Sequence, residues 1–107
     1  MKQVINLNQT NFEETLSNHN TVVVDFWAPW CGPCQSFAPV YETAAEKHPD
    51  VVFAKVNVDE EPGLTAKYQI RSIPTLKVFR AGDMVDSRTG SIPAMQLDEV
   101  IANAANG

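Results

Sequence analysis

At 107 residues the chain has room for one hydrophobic core and not for two, so it is expected to be a single domain over 1–107. Its 44% apolar content and only five glycines describe a packed globular chain, not a disordered one. A net charge of −5 with no basic cluster disfavours phosphate backbones and anionic membrane surfaces, so neither nucleic acid nor a membrane is an expected partner.

The opening MKQVINLNQTNF carries one lysine but no apolar core of a leader, and no later apolar run approaches the ~18 residues of a membrane span. The chain therefore reads as cytoplasmic. Lys2 to Leu7 offers Val4 and Ile5 as a short first strand. Asn8 is then placed to cap a helix in which Phe12 and Leu16 lie one turn apart, with Glu13 and Glu14 near its positive end. Asn18-His19-Asn20 ends it, with His19 as a solvated loop histidine.

Thr21 to Trp27 is β-branched and apolar on both sides, which predicts a central strand covered on two faces. Alternation puts Val23, Asp25 and Trp27 on one face and Val22, Val24 and Phe26 on the other. Asp25 is the anomaly. A buried carboxylate is costly when charged and responds with a raised pKa, so Asp25 is either a half-solvated strand-end residue or a proton acceptor beneath the cysteine pair that comes after the strand.

That pair belongs to Ala28-Pro29-Trp30-Cys31-Gly32-Pro33-Cys34, at the junction of the strand with a helix. Thiols at i and i+3 share a helix side, so a disulfide between Cys31 and Cys34 can form and break without moving the fold. The unpaired N–H groups and positive end of the helix favour a thiolate, and Cys31, nearest that end, gains most. Two bland readings compete with redox chemistry. Zinc needs four ligands, and the chain holds only these two cysteines with His19 and His48 at no ligand-like spacing, so no metal is expected. A structural staple across so short a loop would restrict the unfolded chain little.

From Gln35 to Lys47, Phe37, Val40, Tyr41 and Ala44 recur on one helical face, with Pro33 harmless in the first turn and Pro39 predicted to kink the helix. His48-Pro49-Asp50 closes it, with His48 on the surface. Val51 to Val58 is a third strand that puts Phe53, Lys55 and Asn57 on one face. If a right-handed crossover lays it parallel to the second, Lys55 approaches Asp25 and favours its ionised form; a slip of one residue would turn Lys55 away. Asp59 or Glu60 opens a short helix with Pro62 in its first turn and Leu64, Ala66 and Tyr68 as contacts. Thr75 to Arg80 and Met84 to Thr89 form a hairpin about Arg80-Ala81-Gly82-Asp83, closed by Gly90. Pro93 starts a last helix with Leu97, Val100, Ile101 and Ala104 in one stripe and Met95 as filler.

VDFWAPWCGPC from Val24, Ala38-Pro39, AKVNVDE from Ala54, IRSIPTL from Ile70, and Gly82 and Gly90 together resemble the thioredoxin family over essentially the whole chain. The resemblance implies an α/β fold, a central five-stranded mixed sheet flanked by four helices. It implies dithiol–disulfide exchange: a protein-disulfide reductase and electron carrier in redox homeostasis, monomeric, with no bound cofactor beyond the redox-active disulfide. Disulfide-containing client proteins and an NADPH-dependent flavoprotein thioredoxin reductase are the implied partners. By position Cys31 resembles the attacking thiol and Cys34 the resolving one. Asp25 and Lys55 match the buried pair that assists proton transfer, and Pro74 the family's cis proline. Trp30, Gly32, Pro33, Ile73 and Gly90 match the client-facing surface. Gln35 stands where many members have lysine, which removes a cation near the thiols; Ser72, Thr89 and Ser91 also depart from common residues around the groove. The competing functions are an oxidant or isomerase of disulfides on the same fold, and a non-catalytic module that holds a partner near Trp30.

Overall fold

The computed structural model describes residues 4–106. The expected strand residues Lys2 and Gln3 lie outside the described residues. The elements run β1 (Val4–Asn6), α1 (Phe12–Asn18), β2 (Thr21–Trp27), α2 (Gly32–Lys47), β3 (Val52–Asn57), α3 (Pro62–Lys67), β4 (Thr75–Arg80), β5 (Asp83–Thr89) and α4 (Ala94–Asn106). The five strands form one mixed sheet in the order β1-β3-β2-β4-β5. β1, β3 and β2 are parallel, β4 runs antiparallel to β2, and β5 antiparallel to β4.

The alternation in β2 decides how the layers form. Val23 enters a core with Phe37, Tyr41 and Ala44 of α2 and with Leu97, Val100, Ile101 and Ala104 of α4. Val22, Val24 and Phe26 enter the opposite core with Phe12 and Leu16 of α1 and Leu64 of α3. Two helices thus cover each face of the sheet, and β2 sits at its centre with both sides buried. Ile101 is fully buried in the first core. Ile101→Val is expected to cost about 1 kcal/mol through one lost methylene, measured as a lower urea midpoint with an unchanged slope.

Several boundaries differ from the sequence reading for local reasons. Asn8 does not cap α1: its Oδ1 accepts the Thr10 and Asn11 N–H groups at 2.9 and 3.0 Å, closing a turn that delays the helix until Phe12. In the same way Asn57 Oδ1 takes the Asp59 N–H at 2.9 Å, so α3 starts at Pro62 with Glu61, not Asp59 or Glu60, before it. Ala66 is exposed there rather than packed. α2, by contrast, starts at Gly32 with Pro33 in its first turn as expected, and Pro39 lies inside a helix that continues to Lys47. β3 is one residue shorter at each end than the apolar run, and β5 includes Asp83. Pro93 precedes α4, and its carbonyl accepts the Leu97 N–H at 3.0 Å. His48 is half-buried, not a free surface residue. It stacks on Phe53, and its Nε2 lies 3.1 Å from Asp98 Oδ1, while Lys47 pairs with the other Asp98 oxygen at 2.9 Å.

Candidate active site

The parallel crossover from β2 through α2 to β3 places a helix start directly after a buried strand. Cys31 is the residue that caps α2, with an extended backbone, and Gly32 and Pro33 supply the first turn. The two cysteines form a disulfide with their Cα atoms 5.2 Å apart. The Cys34 N–H points at Cys31 Sγ, 3.2 Å away. A backbone donor on that sulfur, together with the helix dipole, stabilises Cys31 as a thiolate once the bond is reduced. Cys31 Sγ also lies 3.8 Å from the Ile73 carbonyl oxygen, so the loop before β4 borders the attackable sulfur. Cys31 is only 5% exposed, which limits approach to one edge.

That edge is made by residues far apart in the chain. Ile73–Pro74 is a cis peptide. The Pro74 carbonyl accepts the Gly90 N–H at 2.7 Å, which ties the end of β5 to the start of β4. Gly90 has φ +92°, a left-handed backbone that favours glycine. On the other side Trp30 is 68% exposed, yet its indole is fixed by donation from Nε1 to Asp59 Oδ2 at 2.7 Å. Trp30, Val58, Ile70, Arg71 and Ile73 line a shallow groove between these parts. Gln35 gives its side-chain N–H to the Pro29 carbonyl at 2.6 Å, so it braces the loop before Cys31 and brings no charge.

Below the disulfide, Asp25 and Lys55 are directly paired in the β2–β3 register, as the unslipped alignment requires. Asp25 is 4% exposed and its Oδ1 has no hydrogen-bond partner. Burial pushes its pKa up from 3.8 to about 7, with Lys55 pulling the other way. Lys55 is not ion-paired to it. Its Nζ lies over the Trp27 ring, 4.6 Å from the centroid. A cleft of about 90 Å³, wide enough for water, is lined by Asp25, Cys34 and Lys55 and opens beside Glu42. A carboxyl raised toward neutrality by burial therefore shares with the inner cysteine a space that can carry a proton.

Asp25, Cys34 and Lys55 meet in the cleft, Trp30 and Ile73 in the groove, Cys31 borders Ile73, Gly32 and Pro33 begin α2, and Gly90 is bonded to Pro74. His19 follows α1 and His48 pairs with Asp98, so neither lines the cleft or the groove. Two neighbours of the site were not singled out for it: Asp59, which holds Trp30, and Tyr41, which lines the cleft and was assigned only to the core face. Tyr41 sits seven residues beyond Cys34, two turns along the same helix side, and a hydroxyl on a buried stripe was the available signal. Among the described residues no cluster suited to a metal occurs, and no helix is long and apolar enough to cross a membrane.

Comparison with known proteins agrees with this geometry. The family model for thioredoxin matches residues 3–103. A thioredoxin from Alicyclobacillus acidocaldarius is 46% identical over 98 residues, covering 91% of this chain and 93% of the relative. Thioredoxin 1 of Synechococcus elongatus is 48% identical over 86 residues, covering 79% and 80% of the two chains. Among solved structures, a mutant thioredoxin from Halobacterium salinarum superposes with a TM-score of 0.90 at 36% identity, covering 95% of this chain and 90% of that one.

Proposed function

This chain belongs to the thioredoxin family of thiol–disulfide oxidoreductases, and we propose that within it the chain reduces disulfides in client proteins and is itself returned to the dithiol by an NADPH-dependent flavoprotein reductase. The observation that carries the reading is the Cys34 N–H directed at Cys31 Sγ at 3.2 Å, at the start of a 16-residue helix. It favours negative charge on the outer sulfur and so makes Cys31 the attacking thiol.

The Cys31 thiolate attacks one sulfur of a client disulfide. The client S–S bond breaks, one client sulfur departs as a thiolate and the other is joined to Cys31. Cys34 then loses its proton to ionised Asp25, through water in the shared cleft. Its thiolate attacks Cys31 Sγ, so the Cys31–Cys34 bond forms and the mixed disulfide breaks. The second client sulfur leaves with the electron pair. The client has gained two electrons and two protons, and the chain has lost the same, to be restored by the reductase.

Lys55 tunes Asp25 by its charge. Ile73 borders Cys31 and lines the groove with Trp30, and in this reading that groove, with Pro74, Gly32, Pro33 and Gly90, receives an extended client segment. A monomeric single domain in the reducing cytoplasm suits this work, because two cysteines and no others leave a staple little purpose there. The test is reduction of insulin disulfides driven by NADPH and a thioredoxin reductase. Turnover that depends on the chain is expected, and a folded chain that leaves insulin oxidised overturns the reading.

A further inference from the structure

Tyr41 is a buried titratable group with no part in the exchange steps above. It is 2% exposed and lines the same cleft as Asp25, Cys34 and Lys55. Its hydroxyl lies 2.9 Å from the Val23 carbonyl oxygen and 2.7 Å from the Ala54 carbonyl oxygen. One proton is thus shared between two neighbouring parallel strands. Ala54 immediately precedes Lys55, and Val23 lies two residues before Asp25. We propose that Tyr41 is a positioning residue for the resolving step: its hydroxyl pins α2 to β2 and β3 where Asp25 and Lys55 leave the sheet, and so sets the spacing between Cys34 and the Asp25 carboxyl. The proposal rests on the reading of Asp25 as the proton acceptor.

Asp25 needs such an anchor because its Oδ1 makes no hydrogen bond and Lys55 is engaged with the Trp27 ring. Its carboxyl is therefore located by the backbone that carries it. The helix that carries Cys34 is joined to that backbone by the Tyr41 hydroxyl, and the rings of Phe37 and Phe53 hold Tyr41 at centroid distances of 5.7 and 5.2 Å. Loss of the hydroxyl leaves those ring contacts in place and frees the helix to shift against the sheet. Proton transfer and sulfur attack both depend steeply on distance, so even a small shift is felt in rate. The titratable or charged groups around the cleft are Cys34, Tyr41 and Glu42 on α2 and Lys55 on β3; β1 presents Val4 there, and the β4 residue paired with Asp25 is Leu76.

The test tracks the Asp25 carboxyl by carbon NMR against pH in the intact chain, alongside single-turnover rates for the two exchange steps. In Tyr41→Phe the Asp25 midpoint is expected to fall, as a looser cleft admits water. Resolution is expected to slow about tenfold while attack by Cys31 keeps its rate. Tyr41→Leu, which lacks the hydroxyl but packs differently, should show the same pattern, and Ile101→Val should leave the midpoint in place. An unmoved midpoint, or equal slowing of both steps, overturns the clamp. A wild-type chain that cannot reduce insulin overturns the reductase reading instead, and the midpoint comparison still decides the role of Tyr41.

Discussion

Cys34→Ser is expected to stop the exchange half way, so that client proteins accumulate as mixed disulfides on Cys31. Cys31→Ser is expected to capture none and to drop insulin reduction to the uncatalysed level. The asymmetry comes from position. Cys31 caps α2, receives the Cys34 N–H and borders the client-facing groove through the Ile73 carbonyl, whereas Cys34 is in the first turn and looks onto the Asp25 cleft. Removing the inner thiol leaves a competent nucleophile with nothing to release its product. Removing the outer one leaves a thiol that a client sulfur does not reach. Non-reducing electrophoresis after exposure to a disulfide-bonded client measures this, with capture by the first variant exceeding the second by about a hundredfold or more. Equal capture by both would reverse the assignment of attacking and resolving thiols.

Asp25→Asn is expected to stabilise the protein at pH 8 and to do nothing of the kind at pH 4. The folded pKa of Asp25 is raised from 3.8 to about 7, chiefly by desolvation. Between those two values the folded chain keeps a proton that the unfolded chain has released. Stability therefore falls as pH rises through that window, and the contribution of the neutral carboxyl is complete only below the unfolded value. Above pH 7 the buried charge costs at most about 4 kcal/mol, from roughly 1.4 kcal/mol for each pH unit of displacement. Urea unfolding of both chains at pH 4 and pH 8 measures the difference, and curves that stay parallel across that range would remove the burial penalty. The same substitution should slow resolution more than first attack, because the amide cannot accept the Cys34 proton. A gain in stability paired with a loss of rate is the signature of a group retained for chemistry.

Much of the arrangement was legible along the chain. Period-two alternation in Thr21–Trp27 assigned Val23 and Asp25 to one face and Phe26 to the other, and the cores divide on that line. The stripe Leu97, Val100, Ile101 and Ala104 is buried as spacing required, and His19 is exposed in its polar turn. The register of the third strand stayed open in the pattern, because Phe53 and Val56 bury on opposite faces and a slipped strand would still be apolar on both; the structure pairs Lys55 with Asp25. The boundary departures of α1 and α3 lie at their starts, where Asn8 and Asn57 spend side-chain acceptors on turns that compete with the first helical residues.

The sequence by itself determined which residues are apolar on which face, where the helix after Trp30 begins and which two sulfurs it carries, since periodicity and capping act over a few residues. Only the tertiary structure decided that Asp25 Oδ1 has no partner, that Lys55 lies over Trp27, that Asp59 holds Trp30, and that the Tyr41 hydroxyl bridges Val23 and Ala54. The hydrogen bonds among these join residues 13 to 29 positions apart, across elements whose mutual placement is set by the packing of both cores. Local pattern carries no information about which polar atoms that packing leaves facing one another.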